Sequence, residues 1–234
     1  MRYGKVFGLY EKIQPLLKYS LPVEEKLPAK NILVLAPHPD DEAIGCGGAL
    51  YAHCANGGRA TVVFCTSDGA QREAEAAEAL KVLGVSDSLS FGYAIETLKS
   101  QSGFAEKIAG VIESKKPEIV FIPFFMDNHE DHRAVNSAFA KSHAARKADF
   151  MVYAYPVWFP LYPNVLMDIG KAWEHKKKAI ECYKTQLATR DYVKMAKALG
   201  DYWGEVKGHG MKTAESFFRA TAGEYCSAIK KVLG

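Results

Sequence analysis

The stretch from Asn31 to Leu50 reads NILVLAPHPDDEAIGCGGAL, an apolar segment followed at once by a polar one. Its unbroken apolar segment, residues 32–36, predicts a strand that is buried on both faces, as the strands of parallel sheets are. Directly after this segment the chain presents four polar side chains: His38, Asp40, Asp41 and Glu42. Because open α/β sheets hold their sites outside the carboxyl ends of their strands, we predict a ligand loop at this end.

Outward from this stretch, apolar strands alternate with helical segments along most of the chain. The alternation is typical of a parallel sheet with right-handed crossovers, so we predict a Rossmann-like three-layer α/β/α fold with a mostly parallel sheet. Predicted strands cover residues 60–66, 88–93, 118–123, 149–155 and 164–169. Predicted helices cover residues 5–19, 43–56, 71–83, 104–113, 171–186, 190–199 and 225–233.

Length and composition favour one globular domain. The 234 residues are 48% hydrophobic and can bury one substantial core, so we expect a single domain over residues 1–234, with a helix and linker in residues 1–30. No apolar run is long enough to span a bilayer, and the N-terminus lacks the apolar core of a signal peptide. We therefore expect a cytoplasmic protein without a transmembrane segment.

Charge and cysteine usage exclude two classes of protein. The formal net charge is only +3, and the basic residues are spread along the chain apart from residues 176–178, KKK, which we expect on a solvated helix face. This distribution argues against a nucleic-acid partner. The five cysteines include no CxxC pair, so neither a disulfide framework nor a zinc ribbon is indicated.

A second group of polar residues follows the predicted strand at residues 118–123. Residues 124–133 read FFMDNHEDHR and lead into a helical pattern. His129 and His132 are three apart, so both rings can lie over the first turn of that helix. Since the carboxyl ends of parallel strands open on one edge of a sheet, this second corner is expected to bring His132 to His38.

The side chains at the two corners suit a catalytic metal site. A catalytic zinc needs three nitrogen, oxygen or sulfur ligands and one open position, and His38, Asp41 and His132 fit that requirement. Asp40 is the candidate general base for the attacking water. His129 is placed to hold or protonate the developing oxyanion, with Asp131 as its orienting partner. Other divalent transition metals could replace the zinc.

Two plainer interpretations compete with the catalytic one. The HPDDE segment alone could be a turn followed by a helix cap. The chain could also be a non-catalytic carbohydrate- or nucleotide-binding domain with a structural metal. A structural zinc is usually closed by four protein ligands, often cysteines, and none of the cysteines lies in either motif. The two motifs at the carboxyl ends of two strands therefore favour a catalytic metal.

These motifs resemble those of the LmbE-like (PIG-L) zinc-dependent de-N-acetylases. The resemblance rests on residues 36–42, APHPDDE, with the following GCGG, and on His129-x-Asp-His132; residues 66–84 and 178–186 are similar to further blocks of the family. It implies that His38, Asp41 and His132 are zinc ligands and that Asp40 is the general base. It also implies that His129, backed by Asp131, stabilises the oxyanion or acts as the acid, and that Arg72 binds substrate. The alternative for Arg72 is a surface charge at a helix start.

The resemblance implies hydrolysis of the acetamide of an N-acetylglucosaminyl-type sugar or glycoconjugate, with release of acetate. The alternative within the same chemistry is an amidase that acts on larger N-acyl groups or on thiol-sugar conjugates. The identity of the sugar stays open, as does the oligomeric state, for which a homo-oligomer is one option. Residues 1–30 and 192–223 match none of the family's blocks, so substrate choice could reside there.

Overall fold

The computed structural model describes residues 20–146, 149–208 and 210–233, together with the isolated positions 8, 11 and 12. The leading helix predicted from residues 5–19 falls outside the continuously described ranges. None of the helices within those ranges combines the length and the apolarity that a membrane crossing requires.

Within the described ranges, eight strands form one open sheet in the order β1-β7-β8-β6-β5-β2-β3-β4. Neighbouring strands run parallel except where β8 pairs with β6 and with β7. This arrangement confirms the prediction of an α/β fold with a mostly parallel sheet. The strands are β1 (Val23–Glu24), β2 (Asn31–Ala36), β3 (Arg59–Thr66), β4 (Asp87–Tyr93), β5 (Ile119–Pro123), β6 (Met151–Tyr155), β7 (Val165–Asp168) and β8 (Ala214–Thr221).

Helices cover both faces of the sheet and so form the three layers. The helices of the described ranges are α1 (Asp41–Ala55), α2 (Ala70–Leu83), α3 (Phe104–Lys115), α4 (Glu130–Arg146), α5 (Trp173–Cys182), α6 (Lys184–Leu187), α7 (Tyr192–Val206) and α8 (Ala222–Leu233). Residues of α1, α2 and α5 share one core, whereas α3, α4 and α8 contribute to the other. Within β2, Ile32 and Val34 face the first core and Leu33 faces the second, so this strand is buried on both faces as predicted.

Strand β8 is the main element that the sequence analysis did not predict. It lies antiparallel to both of its neighbours and occupies residues that matched none of the family's blocks. The polar Glu215 and Ser216 interrupt its apolar pattern, although both are buried. Strand β1, which pairs with β7, likewise lies in the segment expected to be a linker.

The placement of Lys176 corrects the prediction of a solvated lysine cluster. Helix α1 has a kink at Cys46, where φ is −141°. Close to the kink, the Glu215 carboxylate accepts the N–H groups of Gly48 and Ala49, each at 2.8 Å. The Lys176 ammonium pairs with Glu215 and donates to the carbonyl oxygen of Ile44 at 2.8 Å. Lys176 is only 3% exposed. Its charge is tolerated there because Glu215 pairs with it, and the pair in turn supplies hydrogen-bond partners to the backbone groups near the kink.

Candidate active site

The first corner of the site lies between β2 and α1. Here the Asp41 carboxylate folds back and accepts the N–H group of His38 at 2.8 Å, which fixes the turn. Asp40, between them, has a φ of 128°, a value that residues with a side chain rarely adopt. His38, Asp40 and Asp41 are all buried.

The second corner lies between β5 and α4, on the same edge of the sheet as the first, because β5 runs parallel beside β2. His132 occupies the first turn of α4 and is fully buried. Its Nε2 lies 3.2 Å from Oδ2 of Asp41 and 3.3 Å from Nδ1 of His38. The third side of this triangle, from His38 Nδ1 to Asp41 Oδ2, is 3.2 Å. The structure thus brings together the three side chains expected to be metal ligands.

The shape of this triangle fits one face of a tetrahedral metal site. Zinc bonds of about 2.0–2.2 Å to nitrogen and oxygen place neighbouring tetrahedral ligand atoms roughly 3.3–3.6 Å apart. The three observed separations lie close to that range. His129 also presents a ring nitrogen near the site, since His38, His129 and His132 form a group with ligand atoms within 4.8 Å of one another. The His38, Asp41 and His132 set is the tighter of the two, and all of its members are buried.

Each of the two buried histidines has a carboxylate at its far side. Oδ2 of Asp131 lies 3.0 Å from Nε2 of His38, which leaves Nδ1 of His38 to face the triangle. The same Asp131 carboxylate accepts the N–H groups of Glu96, at 2.7 Å, and Leu98. Asp131 was expected to orient His129, but its carboxylate contacts His38 instead. The carboxylate is occupied by His38 and by the N–H groups of Glu96 and Leu98. The contact with His129 is made instead by the backbone N–H group of Asp131, which donates to Nδ1 of that ring at 3.2 Å.

The carboxylate near His132 belongs to Asp127, a residue that the sequence analysis did not single out. Oδ2 of Asp127 lies 3.4 Å from Nδ1 of His132, without the alignment of a hydrogen bond. Asp127 also accepts the N–H groups of His129 and Trp158, both at 3.0 Å. Ligand histidines usually have a carboxylate or carbonyl at their other ring nitrogen. An aspartate five residues before His132 could therefore have been predicted from the sequence as the partner of that ring.

The electrostatics of the triangle favour a cation. Burial alone would disfavour a charged ring, but the Asp131 and Asp41 carboxylates outweigh it and raise the pKa of His38 to about 9. At His132 the same opposition, of burial against Asp41 and Asp127, raises the pKa to about 10. Burial would raise the pKa of Asp41, yet the two histidines hold it well below its usual range. The carboxylates therefore make this a place where positive charge is stabilised, as a metal-binding site requires.

Asp40 faces the site with its carboxylate held by Arg72. Nη2 of Arg72 lies 3.1 Å from Oδ1 of Asp40, and Nε of Arg72 donates to the Pro39 carbonyl oxygen at 2.9 Å. Burial, reinforced by the Asp41 carboxylate, raises the pKa of Asp40 to about 8 despite the nearby arginine. Arg72 is 7% exposed, so the alternative of an ordinary surface charge is wrong.

His129 is half-buried beside the triangle. Its ring centroid lies 4.6 Å from that of His38 and 5.0 Å from that of His132. Burial, together with these two neighbouring rings, lowers the pKa of His129. A neutral ring whose Nδ1 accepts the Asp131 N–H carries its proton on Nε2, so that nitrogen can donate a hydrogen bond.

A cavity of about 120 Å³ opens beside these groups. The loop that follows β6 contributes Trp158 to its wall, while α6 contributes Gln186 and α7 contributes Tyr192. The Arg190 guanidinium lies 5.0 Å from the centroid of the Trp158 ring. The cavity is lined by His38, Asp40, Asp41, Ile44, Arg72, Ile95, His129, Val157, Trp158, Gln186 and Tyr192.

Comparison with known proteins identifies a family and relatives that are named deacetylases. The model of the family described as PIG-L: GlcNAc-PI de-N-acetylase matches residues 33–143. The uncharacterized deacetylase YaiS of Escherichia coli (strain K12) is 34% identical over 159 residues, which cover 62% of this chain and 84% of that protein. The diacetylchitobiose deacetylase of Thermococcus kodakarensis is 23% identical over 214 residues, covering 77% of this chain and 80% of that protein.

A solved structure extends the likeness to the whole fold. N,N'-diacetylchitobiose deacetylase from Pyrococcus horikoshii superposes with a TM-score of 0.73 at 20% identity, covering 96% of this chain and 95% of that one. The family resemblance read from the two histidine motifs is confirmed. With its family match and a relative at 34% identity, the chain belongs to the PIG-L (LmbE-like) family of deacetylases.

Proposed function

We propose that this chain hydrolyses the acetamide of an N-acetylglucosaminyl-type sugar and releases acetate and the free amino sugar. The observation that carries the proposal is the triangle of His38, Asp41 and His132, with sides of 3.2–3.3 Å, beside the buried carboxylate of Asp40. Relatives named as deacetylases of diacetylchitobiose supply the chemical class of the substrate.

We infer that the triangle holds one zinc ion. The mixed nitrogen and oxygen donors suit zinc, and iron or cobalt could take its place. A bound zinc would polarise the acetyl carbonyl and lower the pKa of a coordinated water to about 7. Because the Asp131 carboxylate fixes Nε2 of His38, Nδ1 would be the ring nitrogen that holds such an ion.

In this proposal Asp40 takes the proton of the attacking water. Arg72 contacts Oδ1 of Asp40, which orients the carboxylate beside the ligand triangle. A positioned general base typically contributes about 10²–10⁴-fold in rate. Arg72 is also one of the cavity-lining residues, so its guanidinium can both hold Asp40 and approach a substrate hydroxyl.

His129 is proposed to hold the developing oxyanion. Its Nε2 carries the proton when the ring is neutral, since Nδ1 accepts the N–H of Asp131. A hydrogen bond from this nitrogen strengthens as negative charge grows on the acetyl oxygen. The proton that Asp40 has taken from the water can then pass to the leaving amine, so that His129 keeps its own proton throughout.

The sugar is proposed to lie against Trp158, Tyr192 and Gln186. The aromatic rings offer flat apolar surfaces for the face of a pyranose, and the amide offers hydrogen bonds to its hydroxyl groups. Relatives named as deacetylases support acetyl over the larger acyl groups of the alternative amidase.

Acetate release from a panel of sugars tests the proposal. The panel contains N-acetylglucosamine, diacetylchitobiose, and N-acetylglucosaminyl conjugates of malate and inositol, each paired with its N-butyryl analogue. We expect the protein to release acetate from at least one N-acetyl compound, faster than butyrate from its partner, and to lose this activity on chelation. Absence of acetate release across the panel with zinc, iron or cobalt present would contradict the proposal.

A further inference from the structure

We propose that Glu42 and Tyr183 are positioning residues that hold Asp40 in its catalytic backbone conformation. The inference rests on the proposed role of Asp40 as general base and adds two residues for which the comparisons supply no role. It starts from the backbone of Asp40, whose φ of 128° and ψ of −27° place a residue with a side chain in a costly region. Such a conformation persists only where the surroundings hold it in place.

The peptide group between Pro39 and Asp40 is held at both of its polar atoms. Its carbonyl oxygen accepts a hydrogen bond from Nε of Arg72 at 2.9 Å. Its N–H group donates to Oε2 of Glu42 at 3.1 Å. Because both ends of one rigid peptide plane are held, its orientation is fixed. The next peptide is held as well, since the Asp40 carbonyl oxygen accepts the N–H group of Ile44 at 2.9 Å, and the two planes together set the direction in which the Asp40 side chain leaves the backbone.

Tyr183 holds the Glu42 carboxylate, which in turn holds the peptide group between Pro39 and Asp40. Its hydroxyl group donates to Oε1 of Glu42, across 141 positions of sequence. Tyr183 is 1% exposed and Glu42 is 0% exposed, so water does not compete for these hydrogen bonds. Tyr183 stands at the junction of α5 and α6, and this contact ties that junction to the HPDDE turn.

Neither Glu42 nor Tyr183 lines the cavity beside the triangle. Both side chains are buried, and the two hydrogen bonds lead from Tyr183 through Glu42 to the Asp40 peptide, so we assign them an effect that passes through Asp40. Since Asp40 is not a member of the ligand triangle, removal of the Tyr183 hydroxyl should change the rate of the reaction without changing the affinity for the metal.

The first test is the hydrogen exchange of the Asp40 amide, measured by NMR in the metal-free protein. Tyr183→Phe removes only the hydroxyl group. The Glu42 carboxylate, which accepts the Asp40 N–H group, then loses its hydrogen bond from Tyr183, so hydrogen exchange at Asp40 should accelerate about tenfold. The matched control is Tyr153→Phe. Tyr153 is also buried and also donates to a carboxylate, that of Glu24, at 3.0 Å. It lies away from the turn and should leave Asp40 exchange unchanged.

The second test is a double-mutant cycle on kcat. Tyr183→Phe alone should lower kcat about tenfold, with KM and the metal dissociation constant unchanged within twofold. In the Asp40→Asn background the same substitution should have no further effect on kcat, because the base that Tyr183 positions is gone. Tyr153→Phe should leave kcat unchanged, although it should lower the melting temperature by about as much as Tyr183→Phe does. Glu42→Gln, which keeps a side-chain oxygen for the Asp40 N–H, should show milder losses in the same direction.

The outcomes separate this inference from the proposed function. Unchanged exchange at Asp40 in Tyr183→Phe would overturn the positioning role whatever the enzyme does. Losses of kcat that multiply in the double variant would also overturn it, because they would show an effect independent of Asp40. Accelerated exchange in a protein that releases no acetate would support the positioning of Asp40 and contradict the deacetylase activity.

Discussion

Nδ1 of His38 and Nε2 of His132 lie 3.3 Å apart, although 94 positions separate the two residues in sequence. The two strands that precede them, β2 and β5, are parallel neighbours, so their carboxyl ends deliver both rings to one place. Asp41 closes the triangle from the first turn of α1. Carboxylates at the far sides of both rings make this position suitable for a cation.

Asp131→Asn is expected to weaken metal binding. The substitution keeps the size of the side chain but removes the charge that orients His38 and holds the N–H groups of Glu96 and Leu98. Loss of such an outer carboxylate typically costs about 10–100-fold in metal affinity. Competition with a chromogenic chelator measures the dissociation constant.

The matched control for this experiment is Asp168→Asn. The Asp168 carboxylate also accepts a backbone N–H group, that of Gly170 at 2.8 Å, but it is exposed at the end of β7, outside the site. We expect its metal affinity to equal that of the wild type. If Asp131→Asn bound metal as tightly as Asp168→Asn, the carboxylate would have no part in orienting His38.

Arg72→Lys is expected to lower kcat/KM at least about tenfold with the metal content intact. A lysine keeps the positive charge but cannot contact Asp40 and the Pro39 carbonyl oxygen at once, as the guanidinium does. The control is Arg59→Lys, because Arg59 is an exposed arginine whose Nε donates to Asn31 at 2.8 Å. If Arg72→Lys kept wild-type kinetics on every substrate that is turned over, Arg72 would have no part in positioning Asp40 or in binding substrate.

Lys176→Met is expected to destabilise the fold by about 3–5 kcal/mol, since it leaves the buried Glu215 carboxylate without its ionic partner. Urea denaturation measures the change in the free energy of unfolding. Lys177→Met is the control: Lys177 lies 3.9 Å from Glu181 at the surface, so its loss should change stability by less than about 0.5 kcal/mol. Equal effects of the two substitutions would mean that the buried pair contributes nothing beyond a surface charge.

The sequence predicted those parts of the fold that local patterns specify. The apolar run of β2 and its polar continuation made the first corner visible, and the topology rule for parallel sheets then joined it to the second corner. Arg72 was assigned a place at the substrate, and the structure puts it at the cavity wall.

What the sequence could not show depends on partners that are distant along the chain. Lys176 can be buried because its ammonium group forms an ion pair with Glu215, which lies 39 positions later in the chain. Strand β8 was missed for the same reason, since Glu215 breaks the apolar pattern by which buried strands are predicted. The hydroxyl contact from Tyr183 to Glu42 likewise becomes visible only when α5 is folded over α1.

The two adjacent aspartates have different roles in the proposed mechanism, and metal stoichiometry measured together with kcat/KM distinguishes them. Asp41→Asn replaces an anionic ligand by a neutral amide, so both the metal content and the activity should fall. Asp40→Asn should keep a full complement of metal while its kcat/KM falls by about 10²–10⁴-fold, as expected for loss of a general base. If Asp40→Asn lost its metal while Asp41→Asn kept both metal and activity, the two roles would be reversed. If neither substitution affected turnover, the deacetylase mechanism itself would be contradicted.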